Sequence, residues 1–452
     1  MIDFMKDLTR GSIYKLIVSF AIPLFLGNLL QLTYNIVDTK LVSMILGQVP
    51  LAAVGSTNSL NTMIIGFLNG LTNGFAVIAA QHFGANDKAG LKRTVASAFK
   101  LGTLISVLLT VLICLNLTGI LRLLNTPEEI LSLAYDYILI IFGGMTALML
   151  YNVASSLLRA VGDTVTPLIF LALSCVSNIV MDWFFMAVIP LGVRGAAIAT
   201  VLAQGLAMVA CFWYMFRKYP FLRPGREDFV SKMDRQLLVK LLSTGLSMGM
   251  MACLVDFGSV ALQFSINMFG TDIIVAHTTA RKLTSVFMLM FGVLGMTMAT
   301  FSGQNFGAGQ YSRIRKGIRT AVGITWVWTI LVIILVHFFA GSLVGALAST
   351  TDSAVIDPAV RYLRVDTAFY FVPAMVTLIR NSMQGFGDRI TPIVSSFIEL
   401  AGKVLVVIFL APALGYFGII LAEPIVWFVM VIPLIVQLLR NKSLKRPDVV
   451  RE

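Results

Sequence analysis

The sequence predicts an all-α polytopic membrane protein whose twelve transmembrane helices form two six-helix lobes. Three observations predict it. Of the 452 residues, 58% are hydrophobic and only 12% are charged, far from the balance of a soluble domain. The apolar residues gather into twelve runs, most of them longer than the ~20 residues a bilayer-spanning helix needs. Motifs of the first half also recur, in the same order, in the second.

The runs lie near 13–46, 51–79, 94–121, 130–158, 166–189, 193–216, 237–269, 273–300, 318–346, 359–383, 391–413 and 416–439. Most exceed the minimum length, so tilted or bent helices are expected, and Pro23 is the bending point of the first. No small-residue cleavage site follows a short apolar core at the N-terminus, so the first helix is expected to stay. Before the fifth helix, "GDTVTP" (from Gly162) reads as Thr166 at the N-cap, Pro167 in the first turn and Asp163 in the turn before. In the sixth, Gly195 and Ala199 make a small-xxx-small face for close helix contact. The four cysteines, Cys114, Cys175, Cys211 and Cys253, sit in apolar runs at wide spacings. They read as small hydrophobes in helix packing, with no disulfide framework.

A net charge of +12 raises the question of nucleic acid, but the basic residues follow the loops. They gather before the first helix (Lys6, Arg10), after the second (Lys88, Lys92, Arg93), after the sixth (Arg217, Lys218, Arg223, Arg226, Lys232, Arg235), after the eighth (Arg313, Arg315, Lys316, Arg319) and at the C-terminus (Arg440, Lys442, Lys445, Arg446). The intervening loops carry chiefly Lys40, Arg122 and Arg194. By the positive-inside rule both termini are cytoplasmic, which requires an even number of helices.

The duplication is explicit in the motifs. "QHFGANDKAGLKR" (from Gln81) aligns with "QNFGAGQYSRIRK" (from Gln304), "GDTVTP" with "GDRITP" (from Gly387), and "LGVRGAAIA" (from Leu191) with "LGYFGIILA" (from Leu414). Collinear repeats of this kind mark an internal duplication. With six helices in each half, the two share one membrane orientation and are related by a pseudo-two-fold axis along the membrane normal. The expected organisation is an N-terminal lobe over 1–216, a basic cytoplasmic linker over 217–236, and a C-terminal lobe over 237–452 with a short basic tail.

Polar residues inside the helices form stripes. On the first helix Gln31, Tyr34, Asn35 and Asp38 share one face at i, i+3, i+4 and i+7, Ser174, Asn178 and Asp182 follow on the fifth, and Thr200 and Gln204 on the sixth. Hydrocarbon penalises each, a mid-helix Asp by ~2.5–3.5 kcal/mol on insertion scales, so these faces should line an interior cavity. Lys40 is not the partner of Asp38, because residues two apart on a helix do not face each other. A carboxyl in low dielectric resists ionisation and a nearby cation favours it, so such a group can trade a proton for a cation. With Asp182, Asn178 and Thr200 it makes an oxygen-only set that also suits a hard cation such as sodium.

The second half departs from this pattern. The repeat sets Ala261 opposite Asp38, Lys403 opposite Asn178, Val407 opposite Asp182 and Glu423 opposite Thr200. Its charges include Asp256, Arg281, Lys282, Asp366, Glu399, Lys403 and Glu423, with Glu399 and Lys403 at i, i+4 in the order that lets them neutralise each other. His277 and Arg281, also i, i+4, are placed to line a cavity in the C-terminal lobe. The three histidines show no HExxH spacing, and neither GxSxG nor GxxxxGK[ST] occurs, so no enzyme and no ATP use is expected.

The chain resembles the multidrug and toxic compound extrusion (MATE) family. The residues that carry the likeness are "AIPLFLGNLLQLTYNIVDT", "LAAVGSTNSL", the paired "QxFGA" loops, "VSNIVMDW", "GVRGAAIAT" and the paired "GDxxTP" turns, in family order along the whole chain. The resemblance implies the MATE fold and a secondary antiporter that exports amphipathic, often cationic compounds by alternating access, the two lobes rocking. It also implies proton or sodium coupling at Asp38, Asn178, Asp182 and Thr200, with no other cofactor. The 22 methionines and 31 phenylalanines offer the adaptable apolar surface of promiscuous sites. A bacterial plasma membrane, surrounding lipid, an amphipathic cargo and a functional monomer complete the expectation. The alternatives are a lipid or glycan-precursor flippase, which calls for a more basic cavity, and a major facilitator-type transporter. The loop signature of the latter is met only approximately by "GANDKAGLKR".

Overall fold

The computed structural model describes residues 5–230 and 234–449; Lys232 of the expected linker lies outside them. Every regular element among the described residues is helical, as a span without water requires, since its backbone must satisfy its own N–H and C=O groups. Among the described residues ten helices are long and apolar enough to cross a membrane, and the spans number up to the expected twelve when each of two bent helix pairs is taken as one.

The chain divides into two compact units, Met1–Asp7 with Ile22–Gly249, and Leu8–Ala21 with Met250–Glu452. The first takes the greater part of α1 (Ile13–Leu46), then α2 (Gln48–Ser56), α3 (Asn58–Gly84), α4 (Lys88–Leu123), α5 (Glu128–Gly143), α6 (Met145–Ala160), α7 (Val165–Trp183), α8 (Val193–Lys218), the short α9 (Arg226–Val230) and the start of α10 (Arg235–Ile266). The second takes the rest of α10, then α11 (Thr271–Gly307), α12 (Tyr311–Ala348), α13 (Ser353–Ala368), α14 (Phe371–Gly385), α15 (Ile390–Leu405), α16 (Ala411–Leu414) and α17 (Tyr416–Arg440). The expected linker contains a 3-10 turn at Pro220–Leu222 and α9.

The sequence repeat is also a repeat of backbone irregularities. The α5–α6 pair bends by 45° and α13–α14 by 54°. A π turn, Phe184–Val188, follows α7, and its counterpart Val406–Leu410 follows α15. Each "GDxxTP" glycine has positive φ, 92° at Gly162 and 96° at Gly387, the conformation that favours glycine.

These turns correct the expected cap. α7 begins at Val165, so Thr166 is already helical; Asp163 does the capping, its Oδ1 accepting the Thr166 backbone N–H at 2.9 Å. Asp163 Oδ2 accepts the hydroxyls of Thr166 (2.6 Å) and Tyr219 (2.7 Å), with the Lys218 ammonium at 3.8 Å. In the second copy Asp388 accepts the Thr391 N–H (3.1 Å) and hydroxyl (2.8 Å). An Asp needs only a short reach to the free N–H groups of a first turn, which is why the acid two residues before the helix takes the role.

One contact escaped the motif search. Gly70 and Gly74 of α3 meet Gly245 and Gly249 of α10, and a Cβ on Gly74 would lie 2.4 Å from the Gly245 Cα. Backbones approach this closely only where side chains are absent. Gly195, on the expected small-residue face of α8, likewise packs against the Phe185 carbonyl, 2.6 Å from where its Cβ would be.

Candidate functional site

The first unit brings together the residues expected to handle the cation. Tyr34 and Asp38 come from α1, Asn178 and Asp182 from α7, and Thr200 from α8. The Asn178 amide links them. With its nitrogen oriented to satisfy every partner, it donates to Asp182 Oδ2 at 2.9 Å and meets the Tyr34 hydroxyl at 2.5 Å, while its oxygen accepts the Thr200 N–H at 3.0 Å. Thr200 Oγ1 donates to the Ala196 carbonyl at 3.0 Å. Asp182 and Asn178 are buried, and Asp38 is half-buried.

Asp38 and Asp182 lie within electrostatic reach of each other. Each acid also keeps one buried oxygen, Oδ1, without a partner. The pair therefore offers two arrangements: a shared proton, or a cation drawn to two carboxylate oxygens. Lys40 is exposed, as its place two residues from Asp38 dictates.

The remaining predicted residues divide. Gln31 and Asn35 hydrogen-bond to each other at 3.3 Å, and Asn35 is exposed. Ser174 and Gln204 are half-buried one turn from Asn178 and Thr200. His277 and Arg281 belong to the second unit, where the His277 ring packs edge-on to Tyr362 and lies 3.2 Å from the Tyr416 hydroxyl. A residue that sequence reasoning missed is Tyr137 of α5, buried within electrostatic range of both Asp38 and Asp182. The residues three and four away on its helix, Leu133, Ala134, Ile140 and Ile141, are apolar, so no polar stripe marked it.

The second unit answers with a chain of ion pairs. Arg281 meets Glu423 at 2.6 Å; Lys403 stands 3.7 Å from Glu423 and 3.1 Å from Glu399; Arg380 reaches Glu399 at 3.2 Å and Ser395 at 3.0 Å. Glu399 and Lys403 do pair as their spacing predicts, but each also has a second partner. Lys403 holds the repeat position of Asn178, so this unit carries a cation covalently where the first has an amide bonded to Asp182. Arg380 gave no signal because its partner lies 19 residues away on the next helix.

The MatE family profile matches residues 23–184 and, a second time, 248–410. The chain belongs to the MatE family. The two matches carry the same offset as the motif repeat. Among curated relatives, a probable multidrug resistance protein of Bacillus subtilis, YpnP, is 30% identical over 310 residues, 68% of each chain. A second from the same organism, YoeA, is 27% identical over 87% of this chain and 86% of its own. A solved structure of a multidrug resistance MATE transporter in an outward-facing conformation superposes with a TM-score of 0.89, covering 99% of this chain and 100% of that one at 22% identity. This chain thus has the MATE fold and is a multi-pass membrane transporter.

Proposed function

We propose that this MATE protein is a secondary antiporter that exports drug-like, often cationic amphipathic compounds by alternating access, in exchange for protons or sodium ions. The observation that carries the reading is the placing of Asp38 and Asp182 near each other within an apolar bundle, each with a carboxyl oxygen that lacks a partner. Such a pair changes its charge when a proton leaves or a cation enters, and charge in low dielectric is costly enough to drive a structural response. Asn178, through its bonds to Asp182 and Tyr34, and Thr200 orient the acids. The basic loops support a plasma membrane protein with both termini in the cytoplasm, working as a monomer.

A flippase would call for a basic interior. In the second unit, however, Arg281, Arg380 and Lys403 each face Glu423 or Glu399, which favours the antiporter. The test follows uptake of rhodamine 6G by everted vesicles under an imposed proton or sodium gradient. Asp38→Asn is expected to lose about tenfold or more of gradient-driven transport, the scale of one removed charge contact. Parental transport by Asp38→Asn under both gradients would end the coupling assignment.

A further inference from the structure

Arg159 is a charge that the coupling site leaves unused. It sits in the last turn of α6, with Nη1 donating to Ser155 Oγ at 2.6 Å and Nη2 to Asn73 Oδ1 of α3 at 3.2 Å. Both partners are neutral. Among the described residues no carboxylate pairs with it; Asp163, one turn on in sequence, is taken by Thr166, Tyr219 and Lys218. In the second unit Arg281, Arg380 and Lys403 all have carboxylates. A guanidinium is permanently charged and carries five N–H donors in a fork, so two neutral acceptors leave both its charge and most of its donors unanswered. A charge within a membrane bundle calls for a counter-charge.

Arg159 is half-buried rather than sealed, and Tyr151, Ser155 and Arg159 rise along one face of α6 at i, i+4 and i+8. Asn73, also half-buried, closes the face from α3. The fold does not itself demand a cation here: the repeat sets Gln384 at the matching position, buried and neutral.

We propose that Arg159 is an anion subsite for the cargo, its guanidinium fork receiving a carboxylate or phosphate on the transported amphipath. Zwitterionic compounds are then exported as well as cationic ones. The proposal rests on the reading of this chain as an exporter. Arg suits the task because its fork matches both oxygens of a carboxylate or phosphate at once.

The experiment compares the parent with Arg159→Gln, which installs the residue of the repeat, and with Arg159→Lys. The probes are rhodamine B, with a free carboxylate, and rhodamine 6G, a close esterified analogue without one. In everted vesicles Arg159→Gln is expected to lower rhodamine B uptake about tenfold or more, the scale of a lost charge-assisted fork, with rhodamine 6G changed less than about twofold; Arg159→Lys keeps part of the rhodamine B uptake. Where the parent transports the dyes, equal effects of Arg159→Gln on both, or none on either, overturn the subsite. Fluorescence anisotropy of rhodamine B with the purified proteins gives a readout independent of transport. Weaker binding by Arg159→Gln supports the subsite even if the parent moves neither dye, in which case the exporter reading fails and the anion site stands. Equal binding overturns it. Melting in nanodiscs of phosphatidylglycerol and of phosphatidylcholine separates the sources of phosphate: a phosphatidylglycerol-dependent stabilisation that Arg159→Gln abolishes, without dye discrimination, assigns the site to lipid and overturns the cargo proposal.

Discussion

Replacing Asp163 and Asp388 with alanine, one at a time, performs the same operation on the two copies of one turn. The structure predicts unequal costs. Asp163 is fully buried and accepts from the Thr166 N–H, the Thr166 hydroxyl and the Tyr219 hydroxyl, with Lys218 3.8 Å away and its own side chain only 5% exposed. Its removal takes one acceptor from two buried hydroxyls and one counter-ion from a buried ammonium, a change of about 3–5 kcal/mol by analogy with broken buried pairs. Asp388 is half-buried and accepts from the Thr391 N–H and hydroxyl and, at 3.2 Å, from the Ile390 N–H, groups of its own first turn. Its loss is that of a helix cap, about 0.5–2 kcal/mol. Thermal melting of the purified variants, followed by fluorescence-detected size exclusion, should show a drop for Asp163→Ala severalfold that for Asp388→Ala. Equal drops, or a larger one for Asp388→Ala, would refute the claim that burial and partner number set the value of this turn.

Further outcomes follow from other contacts. Gly74→Val is expected to abolish the monodisperse protein peak, because its Cβ would lie 2.4 Å from the Gly245 backbone; Gly205→Val, with nothing within 4 Å, should keep it. A folded, active Gly74→Val would mean that α3 and α10 do not cross backbone to backbone. In the loop before α4, the Gly90 backbone N–H, with His82 nearby, holds the Asp87 carboxyl below its ordinary range. A depressed carboxylate contributes stability above its unfolded value of about 3.9 and loses it as pH falls through the folded one. The melting difference between the parent and Asp87→Ala should accordingly stay level from neutral pH down to about pH 5 and shrink below about pH 4; a difference that grows on acidification contradicts the assignment.

The candidate site was half legible in the chain. Asp38, Asn178, Asp182 and Thr200 announced themselves because polar residues at helical spacing in apolar runs have few neutral explanations, and the structure does bring them together. Tyr137 and Arg380 did not. A tyrosine among apolar neighbours reads as packing, and a lone arginine shows its partner only when two helices are side by side. The misassigned cap at Thr166 has a similar cause. Sequence places Asp, Thr and Pro within one turn, but which oxygen takes the free N–H depends on where the helix begins.

By itself the sequence determined the twelve spans and their duplication, since hydrophobic length and repeated turn chemistry are properties of the linear chain. Tertiary structure decided what the charges do. Asp38 found an acid, Asp182, 144 residues away; Lys403 found Glu423 as well as its helical neighbour Glu399. Arg159 found no acid among the described residues. The energy of a charge in low dielectric depends on what lies within a few ångströms of it, and those neighbours come from helices that only packing brings together.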